Sequence, residues 1–394
     1  VDTHVHLMDP GPTEREDFPT GTGAAAARGA TTIVEHTHGH PVRGVGDLSE
    51  KLGHLQGRSN VDSGLAAHVW PDRIGDLAAL WEAGVTFFKI FTCTTHGVPG
   101  LDAAQLLQAF EAIAAVDGRT LVHCEDESLT AAAEKMLRAQ GRTDPGILTE
   151  WRSREAEAVA IAAASVLVES TGVKATFAHV SSADMIDVIG AAQARGADIA
   201  AEACPQYFAI EESEVLEQGP LRKFTPPARV RNEDERERMW AAVRSGAFSH
   251  FSTDHAPSTS AQKAAGDFWE APFGLPGLDT TFPYLVDAAL TGRIGLSDVA
   301  NLASAAPAAW YGLAPTKGAI LPGSDADIVL VDPDGSWTVS DDQILSKAGW
   351  SPYAGQPFSG RSVATDLRGD EIARDGRPHA ETSGRVIPGQ GSRE

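Results

Sequence analysis

Val1-Asp2-Thr3-His4-Val5-His6-Leu7 opens the chain, and this apolar stretch carrying two histidines is the pattern that decides the fold. Such residues favour a β-strand, in which side chains at i and i+2 point to the same face. His4 and His6 can therefore hold one metal ion from one side at a strand end. Far downstream, Ser252-Thr253-Asp254-His255-Ala256-Pro257 places a carboxylate at the end of another predicted strand. Asp254 can close the same site from the opposite side, although an aspartate there is also a common helix cap.

Eight short apolar runs alternate with longer amphipathic segments before residue 255. The predicted strands are residues 1–7, 31–38, 64–70, 85–92, 119–125, 173–180, 197–204 and 248–254. The clearest predicted helices are residues 73–83, 103–116, 155–170, 182–195 and 234–245. Strands alternating with helices indicate an α/β protein with a parallel sheet, and eight is the strand count of a closed (β/α)8 TIM-like barrel. A doubly wound open sheet is the alternative, but no glycine-rich phosphate turn follows the first strand.

The pattern changes near residue 314, where short strands and turns replace the helices. Gly318-Ala319-Ile320-Leu321-Pro322-Gly323 is a turn that leads into an apolar strand. We therefore predict a barrel domain over residues 1–313 and a small β-sandwich-type domain over residues 314–379. Residues 380–394 are polar and are predicted to form an arm or a frayed C-terminal tail.

Composition excludes several functional classes. The chain has 394 residues, 42% hydrophobic content and a formal net charge of −22, which disfavours nucleic acid and anionic membrane surfaces as partners. No apolar run is long enough to cross a membrane, and no secretory signal pattern is present. The three cysteines, Cys93, Cys124 and Cys204, are scattered and form no CxxC pair. This usage predicts a reducing cytoplasm and argues against a disulfide scaffold or a cysteine-based zinc site.

Several predicted strands end in a side chain that can bind metal. Functional groups of a parallel barrel gather at the C-terminal ends of its strands, and there the sequence offers Lys89, His123 and His179 besides the first pair and Asp254. A lone histidine is more often a satisfied core or surface residue than a ligand. The coincidence of four histidines, one lysine and one aspartate in one predicted barrel favours a metal site.

Lys89 lies in the apolar strand Phe87-Phe88-Lys89-Ile90-Phe91. Its side chain can simply extend to solvent. Alternatively, burial lowers the pKa of the amine, and a neutral amine reacts with carbon dioxide to form a carbamate. The carbamate is an anionic, two-oxygen ligand that can bridge two metal ions.

A larger set of short motifs runs through nearly the whole chain. It comprises residues 1–7, Pro10-Gly11, residues 29–32, 88–91, 122–125 and 178–181, Cys204-Pro205, residues 226–229, 253–257, 277–280 and 323–327, and Ser351-Pro352-Tyr353. Together these motifs resemble the cyclic-amidohydrolase branch of the amidohydrolase superfamily, which includes dihydropyrimidinase/hydantoinase, allantoinase and dihydroorotase.

The resemblance implies two divalent metal ions. Zinc is the favoured metal, and manganese, cobalt or iron are the alternatives. By the resemblance, His4 and His6 bind the buried ion, His123 and His179 bind the more exposed one, and carbamylated Lys89 bridges them. Asp254 completes the site. It also implies that a hydroxide between the ions attacks the amide carbon of a small cyclic substrate while Asp254 passes the proton to the leaving nitrogen. Relatives are commonly homo-oligomers, so we expect a dimer or tetramer.

Four positions are predicted to contact the substrate: Met8, His38, Thr94 and Thr225. Dihydroorotases commonly have an arginine two residues after the histidine pair, where this chain has Met8, so the carboxylate clamp is lost. Hydantoinases usually have a tyrosine five residues after the bridging lysine, where this chain has Thr94. His38 stands where relatives have an asparagine, and Thr225 is expected to offer its backbone to substrate. The stretch from Pro10 to Phe18 looks most like allantoinase.

Two further expectations concern neighbouring features. His36, His38 and His40 could form an extra metal site if their segment stays extended, but we favour His38 as a substrate contact. The family's N-terminal strands, which complete the small β domain, are absent from the chain as given, so we expect a preceding segment. The predicted function is an allantoinase- or hydantoinase-like hydrolase; dihydroorotase activity, or a non-catalytic role in assembly, is the alternative.

Overall fold

The computed structural model describes residues 1–392, and its strands and helices alternate as the sequence predicts. The strands are β1 Asp2–Val5, β2 Thr32–Glu35, β3 Asp62–Leu65, β4 Ala67–His68, β5 Phe88–Phe91, β6 Arg119–His123, β7 Lys174–Phe177, β8 Ile199–Ala203, β9 His250–Phe251, β10 Ile328–Thr338, β11 Pro357–Leu367, β12 Asp370–Arg374 and β13 Arg377–Pro378. Between and after the first nine strands lie fifteen α-helices. They are α1 Phe18–Arg28, α2 Val45–Leu55, α3 Leu77–Glu82, α4 Ala103–Ala115, α5 Glu127–Ala139, α6 Ile147–Trp151, α7 Arg154–Thr171, α8 Ala183–Gln193, α9 Gln206–Ala209, α10 Glu214–Gln218, α11 Glu233–Arg244, α12 Ser260–Lys263, α13 Thr281–Leu290, α14 Leu296–Ala300 and α15 Ala306–Trp310.

The first nine strands build a closed parallel barrel. β1 to β3 form one parallel sheet and β4 to β9 form another, and a single residue, Ala66, separates β3 from β4, so the pair acts as one barrel strand. The amide of His6 donates to the carbonyl of His255 at 2.8 Å, which joins the first strand to the last. The predicted (β/α)8 barrel is therefore confirmed, with strands shorter than predicted because their ends turn into loops.

Local sequence explains where the barrel helices begin and end. Asp102 caps α4 by accepting from the amides of Ala104 and Gln105, and the Gln105 side chain bonds back to Asp102, which is a capping box. Gly29 ends α1 in the left-handed conformation, with φ of 103°, where a Cβ would meet Phe282. The helices bury their apolar faces against the strands, and most of the barrel core is one continuous hydrophobic cluster.

The small domain is a four-stranded antiparallel sheet, β10 to β13 in sequential order, that packs against α1 and α13. Buried Lys317 joins it to the barrel, because its ammonium lies 2.6 Å from Asp62 of β3 and 2.8 Å from Asp327. Arg368 of the small domain also pairs with Asp62. One barrel carboxylate thus anchors the sheet through two cations.

The segment after residue 380, expected as an arm or a frayed tail, lies against the barrel through residue 392. The amide of Ser63 donates to Arg385 (2.8 Å), and the amide of Ile387 donates to Ser63 (2.9 Å), so this segment pairs with β3 like an added parallel strand. It occupies the gap between β3 and β5 at the N-terminal end of the barrel. Gly384 and Gly389 permit the approach, because a Cβ at either residue would collide with a backbone carbonyl.

Among residues 1–392, no helix combines the length and apolar character that a membrane crossing requires.

Candidate metal-dependent active site

Three predicted ligands meet where β1 and β9 end. His4 lies in β1, His6 follows it, and Asp254 comes three residues after β9. Asp254 Oδ1 lies 3.2 Å from His4 Nε2 and 3.5 Å from His6 Nε2. Tetrahedral ligands of a zinc ion, bound at about 2.0–2.1 Å, stand roughly 3.3 Å apart. Both distances from Asp254 therefore match the ligand separation that one shared ion requires.

Two further predicted ligands meet on the opposite wall. His123 is the last residue of β6, and His179 comes two residues after β7. His123 Nδ1 lies 2.9 Å from His179 Nε2, and the ring centroids are 4.7 Å apart. Both rings are buried. This pair can serve a second ion, and a ring contact of 5.5 Å between His4 and His179 places the two halves side by side.

The outward nitrogens of three imidazoles are held by acceptors. The pairs are His4 Nδ1 with Glu202 Oε1 (2.8 Å), His6 Nδ1 with the carbonyl oxygen of His36 (2.6 Å) and His123 Nε2 with Glu125 Oε2 (2.8 Å). An N–H donated to such an acceptor fixes the tautomer and directs the lone pair of the other nitrogen into the site. This arrangement is usual for histidines that bind metals.

Glu202 of β8 connects the two halves. Its Oε1 atom accepts from His4 Nδ1 and also from the backbone amide of His179 at 2.9 Å. Burial would raise the pKa of Glu202, but His4 and His250 hold it well below the usual range. The sequence carried a signal that we did not use, namely a charged residue inside the apolar strand Ile199-Ala200-Ala201-Glu202-Ala203.

Lys89 of β5 is buried between the halves, with Nζ 3.3 Å from His4 Nε2. Burial lowers the pKa of Lys89 from 10.5 to about 8, although Asp254 and Glu202 act in the opposite direction. The side chain is buried, so the alternative prediction that Lys89 extends to solvent is wrong. A buried amine with this pKa has the neutral form that carbamylation needs.

The electrostatics of the remaining ligands also suit metal ions. Burial lowers the pKa of all four imidazoles, which keeps them neutral and able to bind. Burial raises the pKa of Asp254. Its side chain is 13% exposed, against 1% and 2% for His4 and His6, so Asp254 is the ligand that reaches the open side. The six residues therefore fit a two-ion centre.

Four residues around the site adopt left-handed backbone conformations without being glycine: Met8, His96, His179 and Asp254, with φ of 55°, 54°, 38° and 49°. Such a conformation costs of order 1–3 kcal/mol. It turns the chain sharply after β7 and β9, which carries His179 and Asp254 over the strand ends. Nothing in the sequence pattern shows this strain.

A small cleft of about 20 Å³ opens onto these ligands. Besides the ligands it is lined by His38, Phe91, His96, Thr225, Ala256, Phe273 and Gly274. Of the four predicted substrate contacts, His38 and Thr225 line the cleft, whereas Met8 and Thr94 do not. Met8 is buried with its sulfur 3.8 Å from Thr37 Oγ1, and Thr94 is exposed.

Sequence reasoning missed His96 and Phe273, because they reach the cleft from loops with no periodic pattern. His96 stacks on His38 with centroids 4.4 Å apart, and Phe273 meets the edge of His96 at 5.7 Å. It also missed the support behind Thr225, whose hydroxyl donates to Glu125 Oε2 at 2.7 Å. Burial would raise the pKa of Glu125, but the Arg152 charge and the His123 hydrogen bond lower it to about 2.

Comparison with known proteins agrees with this geometry. The model of the "Amidohydrolase family" matches residues 1–351. An allantoinase from Rubrobacter xylanophilus is 34% identical over 98% of this chain and 86% of its own length. A dihydroorotase from Halobacterium salinarum is 34% identical over 90% of this chain and 81% of its own length.

Among solved structures, the L-hydantoinase (dihydropyrimidinase) from Arthrobacter aurescens superposes with a TM-score of 0.93 at 29% identity, covering 98% of this chain and 87% of that one. The fold, the converging ligands and the match over residues 1–351 agree with one another. The chain belongs to the amidohydrolase family, in its cyclic-amidohydrolase branch, and it is a hydrolase.

Proposed function

We propose that the protein opens the ring of a neutral cyclic amide or ureide, as an allantoinase or hydantoinase does, with two divalent ions held by His4, His6, Lys89, His123, His179 and Asp254. The relatives and neighbours are named allantoinase, dihydroorotase and hydantoinase, and the residues of the cleft decide between them. Zinc suits the imidazole and carboxylate ligand set, with manganese, cobalt or iron as alternatives. Carbon dioxide would be bound as the carbamate on Lys89.

The residues that line the cleft favour an uncharged substrate over a carboxylate-bearing one. Among the described lining residues, Lys89 is the only lysine or arginine, and it is assigned to the metal centre. A dihydroorotate carboxylate would therefore find no cationic side chain to pair with. Imidazole and aromatic faces suit a planar, uncharged ring instead. His38 and His96 stack on each other and line the cleft together with Thr225.

Asp254 is the proposed proton shuttle. When bound, the ions would activate a water and polarise the amide carbonyl. Asp254 takes the proton of that water on its carboxylate and delivers it to the ring nitrogen as the C–N bond breaks. Its raised pKa and its position on the open side of the site support this role. The product is a ring-opened N-carbamoyl or similar acid.

The experiment is a substrate panel on the zinc-loaded protein, with allantoin, hydantoin, dihydrouracil and dihydroorotate compared by product chromatography. We expect kcat/KM to be highest for an uncharged ring. The Asp254→Asn variant, matched for size, is the control for contaminating activity. Preference for dihydroorotate would refute the cleft argument, and full metal loading without turnover on any ring would favour a non-catalytic role.

Two broader expectations accompany this function. The described chain keeps Cys93, Cys124 and Cys204 as buried, free thiols, which supports a reducing compartment such as the cytoplasm. Assembly into a homodimer or homotetramer stays a prediction, and light scattering on the purified protein checks it.

A further inference from the structure

A second group of histidines lies beside the two-ion centre. His36 and His38 follow β2, and His68 ends β4. One ring nitrogen from each lies within 4.8 Å of the others. The His68 ring centroid is 5.9 Å from that of His36 and 5.6 Å from that of His38. Because β2, β3 and β4 are neighbours in the barrel wall, the fold itself brings these three side chains together.

The ring nitrogens of this group lack hydrogen-bond partners. Both nitrogens of His36, both nitrogens of His68 and Nε2 of His38 are buried without a partner among residues 1–392. His36 and His68 are each only 1% exposed. A buried polar group that makes no hydrogen bond destabilises the folded state, so five such atoms in one place require an explanation. Among the assigned ligands, His4, His6 and His123 each have one nitrogen held by an acceptor, whereas Nδ1 of His179 also has no partner among the described residues.

Packing against aromatic side chains explains only in part why these imidazole rings are buried. His68 stacks on Phe91 with centroids 6.2 Å apart, and His36 meets the edge of Phe87 at 5.5 Å. These contacts hold the imidazole faces. They leave the nitrogens, which lie at the ring edges, without acceptors. Three convergent imidazoles are a common way to bind a metal ion.

We propose that His36, His38 and His68 bind a third divalent metal ion next to the two-ion centre, since one nitrogen of His36 also lies within 4.8 Å of nitrogens of His4 and His6. Three imidazoles favour zinc, copper, nickel or iron over magnesium or calcium, and water can fill a fourth tetrahedral position. His38 lines the cleft, but His36 and His68 do not. The ion therefore lies behind His38 and fixes the wall that His38 shares with His96.

The third partner differs from the one considered from the sequence. His40 follows His38 by two residues, but it is not in the group of converging nitrogens, and its side chain is half-buried. His68 takes that place from a strand about thirty residues further along. His40 consequently provides a matched control from the same loop.

The test is a crystal of the zinc-reconstituted protein, after removal of loosely bound metal, with anomalous diffraction at the zinc edge. We expect one anomalous peak between His36, His38 and His68 besides the two peaks at the catalytic ligands. The absence of a peak between these three histidines would overturn the proposal. A peak there without the other two would uphold it while refuting the two-ion centre.

Histidine variants provide an independent test, in which mass spectrometry counts the zinc ions bound per chain. His68→Gln is expected to lose one zinc ion per chain, and His40→Gln to lose none. The His68→Gln barrel counts as intact if the variant retains two zinc ions. Its melting temperature should then fall by no more than the loss of one bound ion explains. If His68→Gln fails to fold, His38→Gln, at the rim of the cleft, is counted instead. A full wild-type zinc count in the folded variant would overturn the proposal.

Discussion

The rate at which the metal-free protein is reconstituted is expected to increase with the fraction of Lys89 that is deprotonated. Burial lowers the pKa of Lys89 from 10.5 to about 8, and only the neutral amine reacts with carbon dioxide. As pH rises through 8, the neutral fraction grows from about one tenth at pH 7 to about nine tenths at pH 9. A lysine with its ordinary pKa would be about 0.03% neutral at pH 7, so the site offers roughly 300-fold more reactive amine there.

The measurement is the initial rate at which the metal-free protein incorporates ¹³C-labelled carbon dioxide in the presence of zinc. Carbon NMR detects the carbamate, and rates are normalised to dissolved carbon dioxide because its share of the bicarbonate pool falls as pH rises. We expect a midpoint close to pH 8. A midpoint near the ordinary lysine value of 10.5 would refute the role assigned to burial.

A variant identifies the amine that reacts. Burial also lowers the pKa of Lys223 to about 8 and that of Lys263 well below its usual range, so either could contribute a carbamate signal. Lys89→Met keeps an unbranched side chain in the same pocket and is expected to abolish the signal. An undiminished signal in Lys89→Met would assign the carbamate to another lysine and remove the bridging ligand from the proposed centre.

The remaining predictions concern three other residues. Asp254→Asn is expected to lower kcat by about 10²–10⁴-fold while mass spectrometry still finds bound zinc; retained turnover would contradict the proton-shuttle role. Glu202→Gln is expected to weaken zinc binding about 10–100-fold in competition with a chromophoric chelator, and unchanged affinity would show that Glu202 does not hold the ligands. Lys317→Met is expected to lower the free energy of unfolding in urea by about 1–3 kcal/mol, because it removes a charged hydrogen-bond donor from Asp62 and Asp327 while Arg368 still pairs with Asp62. Lys174→Met, which removes a solvent-exposed ion pair, is its control and should cost less than about 1 kcal/mol; equal losses would mean that Lys317 adds no more than a surface pair.

The barrel was predictable because its signals are local and repeated. Each strand is a short apolar run, each helix has its own period, and the parallel arrangement follows from their alternation. The strand ends were less predictable. The last barrel strand was predicted over residues 248–254, but it is regular only over His250–Phe251, since the chain turns through a left-handed residue at Asp254.

The ligands of the candidate site could be named, but the residues that support them could not. His4 and His123 stand at strand ends, where a parallel barrel places functional groups. Glu202 and His96 contribute through contacts between segments far apart in the chain, and no spacing rule connects them. Met8 shows that a position in the sequence does not by itself determine where the side chain points. Its position relative to the histidine pair suggested a substrate contact, yet the side chain packs against Thr37 outside the cleft.

The pairing of residues 384–389 with β3 also bears on the order of events during biosynthesis. A ribosome synthesises these residues more than a hundred positions after Asp254, the last of the candidate ligands. While they are still in the exit tunnel, the nascent barrel has all six ligands but an open seam between β3 and β5, with the amide of Ser63 unpaired. Cotranslational folding should therefore proceed through a species in which this edge of β3 is not yet covered.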